Sequence, residues 1–432
     1  MTGFALGLGG IGVMLVLLFL RQSVWLALGL IGVVGNWALN GLMSSKFVAG
    51  TTVFDVVSNY NLSVIPLFIL MGEIASGSRM SAELFTAART VLSGLRGGLA
   101  VATLAASGAF GAICGSSVAT AASMTRIAMP EMSKAGYRPG FSTASVAAGG
   151  SLGILIPPSI ILVIYGSISE TSVARLFAAS MLPGIALMLL YVGVAVWVAG
   201  RGGAAPTETA ASFKARILAL RGPWQFVLLF VVTIGGIYAG FFSPTEAASI
   251  GAFGAIALGW LKGTLTLEKL TAAIRESVLV SCALFMIIIG ATLFSNFVVQ
   301  TRLPDTLLSL ARGAELSPWL VMGLIIVIYI VLGCFLEGLG MVLITVPVFL
   351  PVITGYGFDP IWFGVLVAVL VELGLITPPV GMNLFIIRAQ VPEIPMSTIY
   401  GGIAPFLIAP IVLIALLFAW PNLALWLPGV LY

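Results

Sequence analysis

Two double prolines, Pro157-Pro158 and Pro378-Pro379, stand in the middle of long apolar stretches. Ser151 and Ser159 flank the first, and Thr377, Gly381 and Asn383 the second. Proline lacks the backbone donor and cannot continue a helix, so each pair breaks its span, leaves carbonyls without helical partners and exposes two helix ends. Carbonyl oxygens and half-helix C-termini suit a hard monovalent cation such as Na⁺, whereas half-helix N-termini suit an anion. Two further apolar stretches, about 98–130 and 318–352, are interrupted by GAICGSS and by GCFLEGLG. The first interruption offers Gly111, Gly115, Ser116, Ser117 and Thr120: small residues that permit a tight turn, and hydroxyls that can ligate a cation. The second offers Gly333, Glu337, Gly338 and Gly340. Glu337 is an acid in an apolar setting, costly unless paired, protonated or ion-bound, and so it marks function unless it lies in a wet loop at the membrane edge. Small residues at these tips also admit a plainer role in close helix packing. Their grouping opposite two broken helices points to binding.

The elements that must hold these residues follow from composition. The chain has 432 residues, 60% hydrophobic and 8% charged, whereas a soluble domain carries about 25% charged residues. Most of the surface therefore faces lipid. At roughly 20 apolar residues per crossing the length allows about ten to twelve helices, and long runs without alternation disfavour a barrel. The absence of histidine removes the commonest general base, the Ser-His-Asp triad and His-ligated metal sites. Cys114, Cys282 and Cys334 lie in apolar stretches without CxxC spacing and read as buried packing residues with no disulfide. Asp55, Asp305 and Asp359 are isolated, which weakens a membrane enzyme that needs clustered Asp for Mg²⁺-diphosphate. The net charge of +4 is small and the basic residues sit at segment ends, which fits membrane orientation and no nucleic acid. A channel is a further class, separable by its lack of saturation.

Crossings are expected at about 3–20, 23–43, 61–77, 141–168, 172–200, 223–242, 244–262, 276–300, 357–390 and 396–420. The first is too long for a signal-peptide core and has no basic segment before it, so it reads as a retained span. Each interrupted stretch is either two thin spans or one re-entrant hairpin, a form tolerated only where protein or water surrounds the bent backbone. With the N-terminus outside, Lys and Arg divide 15 cytoplasmic to 4 outside, which places both termini in the periplasm. Both readings give the same loop sides; the small-residue tips favour hairpins. Amphipathic segments at about 81–97 and 303–316 precede the two stretches. A polar Gly/Ala/Pro-rich linker at about 200–222 divides the chain.

Self-similarity runs across that linker. Leu152, Gly153, Pro157 and Pro158 in SLGILIPPS pair with Leu373, Gly374, Pro378 and Pro379 in ELGLITPPV, each at an offset of 221, and Pro130 pairs with Pro351 at the same offset. Each half holds five crossings and a hairpin, and an odd number of crossings makes the repeat inverted. The expected architecture is therefore an all-α polytopic membrane protein. Residues 1–200 form one repeat, 201–222 a cytoplasmic linker and 223–432 the second repeat. The hairpins lie at about 98–130 and 318–352, and the broken helices at about 141–168 and 357–390.

On SLGILIPPSIILVIYG, the GSSVAT tip, PTEAAS after Ser243 and ELGLITPPVGMNLF, the chain resembles the large permease subunit family of TRAP (tripartite ATP-independent periplasmic) transporters along essentially its whole length. The resemblance implies an elevator-type fold of the ion transporter superfamily and Na⁺-coupled uptake of an organic acid across a bacterial inner membrane. It also implies two partners, a small four-helix membrane subunit and a periplasmic substrate-binding protein. It would join Gly115, Ser116, Ser117 and Thr120 with Ser151, Pro157 and Ser159 in one cation site. Gly333, Glu337 and Gly338 would join Thr377, Pro378 and Asn383 in the other. The family commonly carries Asp in the second tip where this chain has Glu337, a departure that bears on a direct ion-ligand role. Candidates to meet the substrate are Ser117, Pro158, Pro379 and Asn383. Arg126 and Arg388 are candidate carboxylate clamps, with a cytoplasmic-anchor role as the alternative for either. The nearest rival is a stand-alone Na⁺/dicarboxylate symporter of the same superfamily, which needs no partners.

Overall fold

Caps and prolines set where the helices start. Ser243 and Glu246 form a reciprocal capping box, and Pro139, Pro244, Pro318 and Pro360 occupy first-turn positions, where the missing N–H costs nothing. The Asp359 carboxylate accepts from the N–H groups of Ile361 and Trp362 at 2.7 and 3.1 Å. A computed structural model describes residues 3–201, 204–206 and 209–432. Residues 202–203 and 207–208, within the linker read from the sequence, and residues 1–2 lie outside the described residues.

The first half runs α1 (Gly3–Phe19), α2 (Val24–Ser58), α3 (Val64–Gly77), α4 (Met80–Val91), α5 (Gly98–Cys114), α6 (Ser117–Lys134), α7 (Pro139–Leu155), α8 (Ile160–Ile168) and α9 (Val173–Gly200). A short α10 (Phe213–Ala219) follows, then α11 (Trp224–Phe230), which continues through a π turn into α12 (Gly236–Tyr238). The second half goes on through α13 (Pro244–Leu261), α14 (Leu267–Gln300), α15 (Leu303–Gly313), α16 (Pro318–Gly333), α17 (Gly338–Gly355), α18 (Pro360–Ile376) and α19 (Met382–Gln390). It ends with α20 (Met396–Ile403), α21 (Ile408–Ala419) and α22 (Asn422–Leu431). Among the described residues there is no strand. Seven helices there are long and apolar enough to cross a membrane, or eight counting the bent pair Phe213–Ala219 and Trp224–Tyr238. The chain is thus an all-α, multi-span membrane protein.

Element starts recur at nearly constant spacing. Those of α1, α2, α5, α6, α7, α8 and α9 are followed by those of α11, α13, α16, α17, α18, α19 and α20 after 221, 220, 220, 221, 221, 222 and 223 residues, by subtraction of their first residue numbers. The halves also differ: α14 runs unbroken for 34 residues where α2 and α3 are separate, α2 continues where α13 and α14 are separate, and α9 is continuous where α20 and α21 are broken. Helix α2 passes beyond the expected end near 43, its direction changed at Gly41, whose φ of +80° glycine adopts without a Cβ penalty. Helix α14 starts at Leu267 and not near 276, and α22 was not anticipated.

Helices α2 and α14 pack along their length through glycines. A Cβ on Gly32 would lie 2.5 Å from the Leu293 carbonyl carbon, and one on Gly35 would lie 2.4 Å from the Phe297 ring. Such backbone approach is what associates helices in lipid, where apolar burial gives no drive. The cysteines correct one expectation: Cys114 is buried, but Cys282 is exposed and Cys334 only partly covered. Cys282 is turned out on α14 beside an apolar groove, because that helix presents one face to α2 and another outward.

Candidate transport site

The first tip forms where α5 ends on Gly115, whose φ of +64° turns the chain, and Ser116 caps α6 by accepting from the Ala119 N–H at 3.4 Å. The tip rests on the first broken span. Ile160 N–H donates to the Gly115 carbonyl at 3.4 Å, and a Cβ on Gly115 would lie 2.9 Å from the Pro158 carbonyl oxygen. Gly153 lets α7 approach the other side: a Cβ there would meet Thr120 Oγ1 at 2.9 Å and the Ser116 carbonyl at 3.0 Å. The Thr120 hydroxyl donates to that same carbonyl at 2.7 Å. Ser159 caps α8 by accepting from the Leu162 N–H at 3.3 Å, and Pro157 and Pro158 are buried. Ser117 is buried, and its hydroxyl makes no hydrogen bond among the described residues. Gly115, Ser116, Ser117, Thr120, Pro157, Pro158 and Ser159 therefore come together. Ser151 does not join them: its hydroxyl lies 2.9 Å from the Ala148 carbonyl and 3.2 Å from the Tyr191 hydroxyl, toward α9.

The second tip repeats the contact with less cover. Gly333 on α16 and Gly374 on α18 meet so closely that a Cβ on Gly374 would lie 2.8 Å from Gly333 Cα, and one on Gly338 would lie 2.5 Å from a Val371 methyl. The first tip has the same pairing, with a Cβ on Gly111 2.6 Å from Gly153 Cα. Here, however, Pro379 and Phe335 are exposed and Thr377 and Pro378 half-buried. Thr377 donates to the Leu373 carbonyl, closing its own last turn, and the Tyr400 hydroxyl donates to the Pro379 carbonyl. Glu337 takes the N-cap position of α17 without a side-chain capping bond. Asn383 is fully buried, and neither its Oδ1 nor its Nδ2 has a partner among the described residues. Leaving an amide buried in that state unpaired costs about 1–3 kcal/mol.

Both tips line one cavity of about 350 Å³. Its wall takes Gly115, Ser116 and Ser117 from the first tip, Glu337 and Gly338 from the second, and Ile160 and Met382 from the starts of the half-helices after the breaks. Glu73 on α3 and Glu276 on α14 border it. The same two glutamates border a second cavity of about 530 Å³ that also meets Arg79, Arg126 and Lys269. The two cavities thus share two acids, and the second adds three basic side chains. Arg126 borders that second cavity without a hydrogen bond or ion pair among the described residues, whereas Arg388 caps the end of α19 by donating to the Val391 and Pro392 carbonyls.

The profile of the family described as "Tripartite ATP-independent periplasmic transporter, DctM component" matches residues 11–423. The chain belongs to this family. The C4-dicarboxylate TRAP transporter large permease protein of Pseudomonas aeruginosa is 34% identical to it over 87% of this chain and 88% of its own. The sialic acid large permease of Vibrio cholerae is 31% identical over 86% and 87%, and the ectoine large permease of Halomonas elongata is 30% identical over 96% and 97%. Among solved structures, the Alcanivorax borkumensis YdaH transporter aligns with a TM-score of 0.59 at 17% identity, covering 89% of this chain and 90% of its own. At that identity the likeness speaks to fold alone. The permease is thus a transporter component of a bacterial TRAP system and not an enzyme.

Three acids of this permease escaped the sequence reading: Glu73, Glu276 and Glu372. The signal that marked Glu337, an acid inside an apolar run, applies equally to Glu73 and Glu372. Glu372 even opens the quoted ELGLITPPV motif, at the 221-residue offset from Ser151.

Proposed function

We propose that this permease carries out Na⁺-coupled uptake of an organic acid across the bacterial inner membrane. In this reading hairpins α5–α6 and α16–α17 and the broken spans α7–α8 and α18–α19 move as a unit past a fixed scaffold built on α2 and α14. The observation that carries the reading is the single cavity bounded by both tips and both half-helix starts. Oxygens suited to a hard cation meet there with helix N-termini suited to a carboxylate. The cation ligands are drawn from Gly115, Ser116, Ser117, Thr120, Pro157 and Ser159 on one side. Gly333, Glu337, Gly338, Thr377, Pro378 and Asn383 supply the other. Ser151 is left out because its hydroxyl turns to Tyr191. Arg126 at the second cavity is the better-placed carboxylate guide, and Arg388 serves as a C-cap.

The repeated element spacing supports an inverted repeat divided at the linker. The end contacts support an orientation with both termini periplasmic. The Tyr432 carbonyl accepts from Arg175 at 3.1 Å, and a Cβ on Gly3 would lie 2.9 Å from the Thr301 carbonyl, so both ends lie by loops assigned outside on charge. Relatives named for C4-dicarboxylate, sialic acid and ectoine all bear substrates with a carboxylate, which supports the organic-acid class. The tripartite family description supports two partners, a small four-helix membrane subunit and a periplasmic substrate-binding protein.

The test is uptake of a labelled organic acid into vesicles under an inward Na⁺ gradient, with the permease alone and with both partners. Saturable, Na⁺-dependent uptake is expected only from the complete set. Robust uptake by the permease alone would point to a stand-alone symporter, and unsaturable flux to a channel.

A further inference from the structure

Glu372 lies on α18 one turn before the second break, with none of its surface exposed and neither carboxylate oxygen in a hydrogen bond among the described residues. It lines none of the cavities around the tips. Helix α18 packs against α7 and α9, which brings the end of α7 at Leu155 and Tyr191 on α9 into the surroundings of this carboxyl. The Tyr191 hydroxyl in turn meets Ser151, the residue 221 positions before Glu372. The two broken spans thus bring equivalent positions, one a serine and one a glutamate, to the same tyrosine.

Among the described residues no cation pairs with this carboxyl. Helix α7 carries no charged or titratable side chain along its length. Tyr165 on α8 donates to the Pro360 carbonyl at the other end of α18, and Tyr329 on α16 bonds Thr345. Glu337 faces the tip cavity, and Arg388 on α19 is spent on the Val391 and Pro392 carbonyls. Helices α21 and α22 contribute no charged side chain. A Na⁺ ion is poorly served here, because α7 and α18 are continuous helices at this level and their carbonyls are engaged in them, leaving two hydroxyls as neutral ligands. A bare carboxylate buried in a membrane protein without a partner is costly and is neutralised by whatever the site can hold.

We propose that Glu372, with Tyr191 and Ser151 beside it, is a proton-binding site of the transport unit, so that a proton moves with the organic acid in addition to Na⁺. On loading, one Glu372 oxygen forms an O–H bond with a proton from water on the side where substrate enters. On release that bond breaks and the proton passes to water on the other side; no electrons move. The inference rests on the transporter reading above.

The test uses the complete transporter in vesicles enclosing a pH-sensitive dye, with labelled succinate as the probe and an inward Na⁺ gradient. In the wild type, succinate entry should acidify the lumen, and an inward proton gradient should raise its rate. Glu372→Gln should take up succinate without moving the dye and without responding to that gradient. A lumen that stays unchanged while wild-type succinate enters, or Glu372→Gln that still acidifies it, overturns the proton site and leaves the transporter reading standing. Absence of wild-type succinate uptake under any gradient overturns the proposed Na⁺-coupled uptake of this acid, and this inference falls with it. Should Glu372→Gln fail to fold, infrared difference spectra of the wild type and Glu372→Asp between acid and alkaline buffer decide the matter without substrate. A titrating carboxylic-acid C=O band that shifts in Glu372→Asp is expected; a band unmoved by that substitution contradicts the site.

Discussion

Gly153 and Gly374 show how little room the tips have. On each, an added methyl would press on backbone atoms of the opposing tip, which cannot rotate away as a flexible side chain would. Gly153→Ala should therefore cost about 1–3 kcal/mol through forced backbone displacement, seen as a lower thermal transition of the solubilised protein. Gly12→Ala, with nothing within 4 Å of the new carbon on α1, should leave that transition unchanged or slightly higher. An unchanged transition in Gly153→Ala would mean that the tip does not rest on α7. The same closeness explains why hydroxyls at the first tip sort into two groups. Thr120 is satisfied by the Ser116 carbonyl, while Ser117 keeps its oxygen free beside the cavity.

At the scale of elements, the α2–α14 seam joins the two long helices through close glycine contacts. The Cβ of any residue at Gly32 would fall 2.5 Å from the Leu293 carbonyl carbon on α14, closer than unbonded atoms can approach, so Gly32→Val should drive the helices apart. Its expected signs are reduced amounts of folded protein and a lower thermal transition; wild-type values for both would show the seam to be loose. Much of this arrangement was legible in the residues. Pro157-Pro158, Pro378-Pro379 and the glycines at the tips are backbone statements, and the chain breaks where they stand. The long α14 and the course of α2 past Gly41 were less legible, because a single glycine in an apolar run marks a bend or nothing, and α14 opens with charged turns that read as loop. Helix α22 reads as tail, being short and carrying Pro428. The surroundings of Ser151 were not legible for another reason: a spacing gives the face of a helix but not which neighbour that face meets, and here it is Tyr191 on α9.

For the whole molecule the orientation and the shared cavity decide the account. A reporter fused after Arg216 should read cytoplasmic and one at Tyr432 periplasmic; the opposite at either point overturns the assignment of sides. The central claim is that hydroxyl and amide oxygens from the two tip-and-break pairs replace the water a Na⁺ ion gives up on entering the cavity. Its most direct test is the Na⁺ concentration for half-maximal uptake by the complete transporter carrying Ser117→Ala or Asn383→Ala. Thr86→Ala serves as control, since this exposed hydroxyl on α4 bonds only its own turn at Ala82. Loss of one polar ligand should cost about 1–3 kcal/mol, raising that concentration about 5- to 150-fold in each site variant and leaving the control at the wild-type value. Wild-type Na⁺ dependence in both site variants at normal expression would contradict the claim and return these residues to packing.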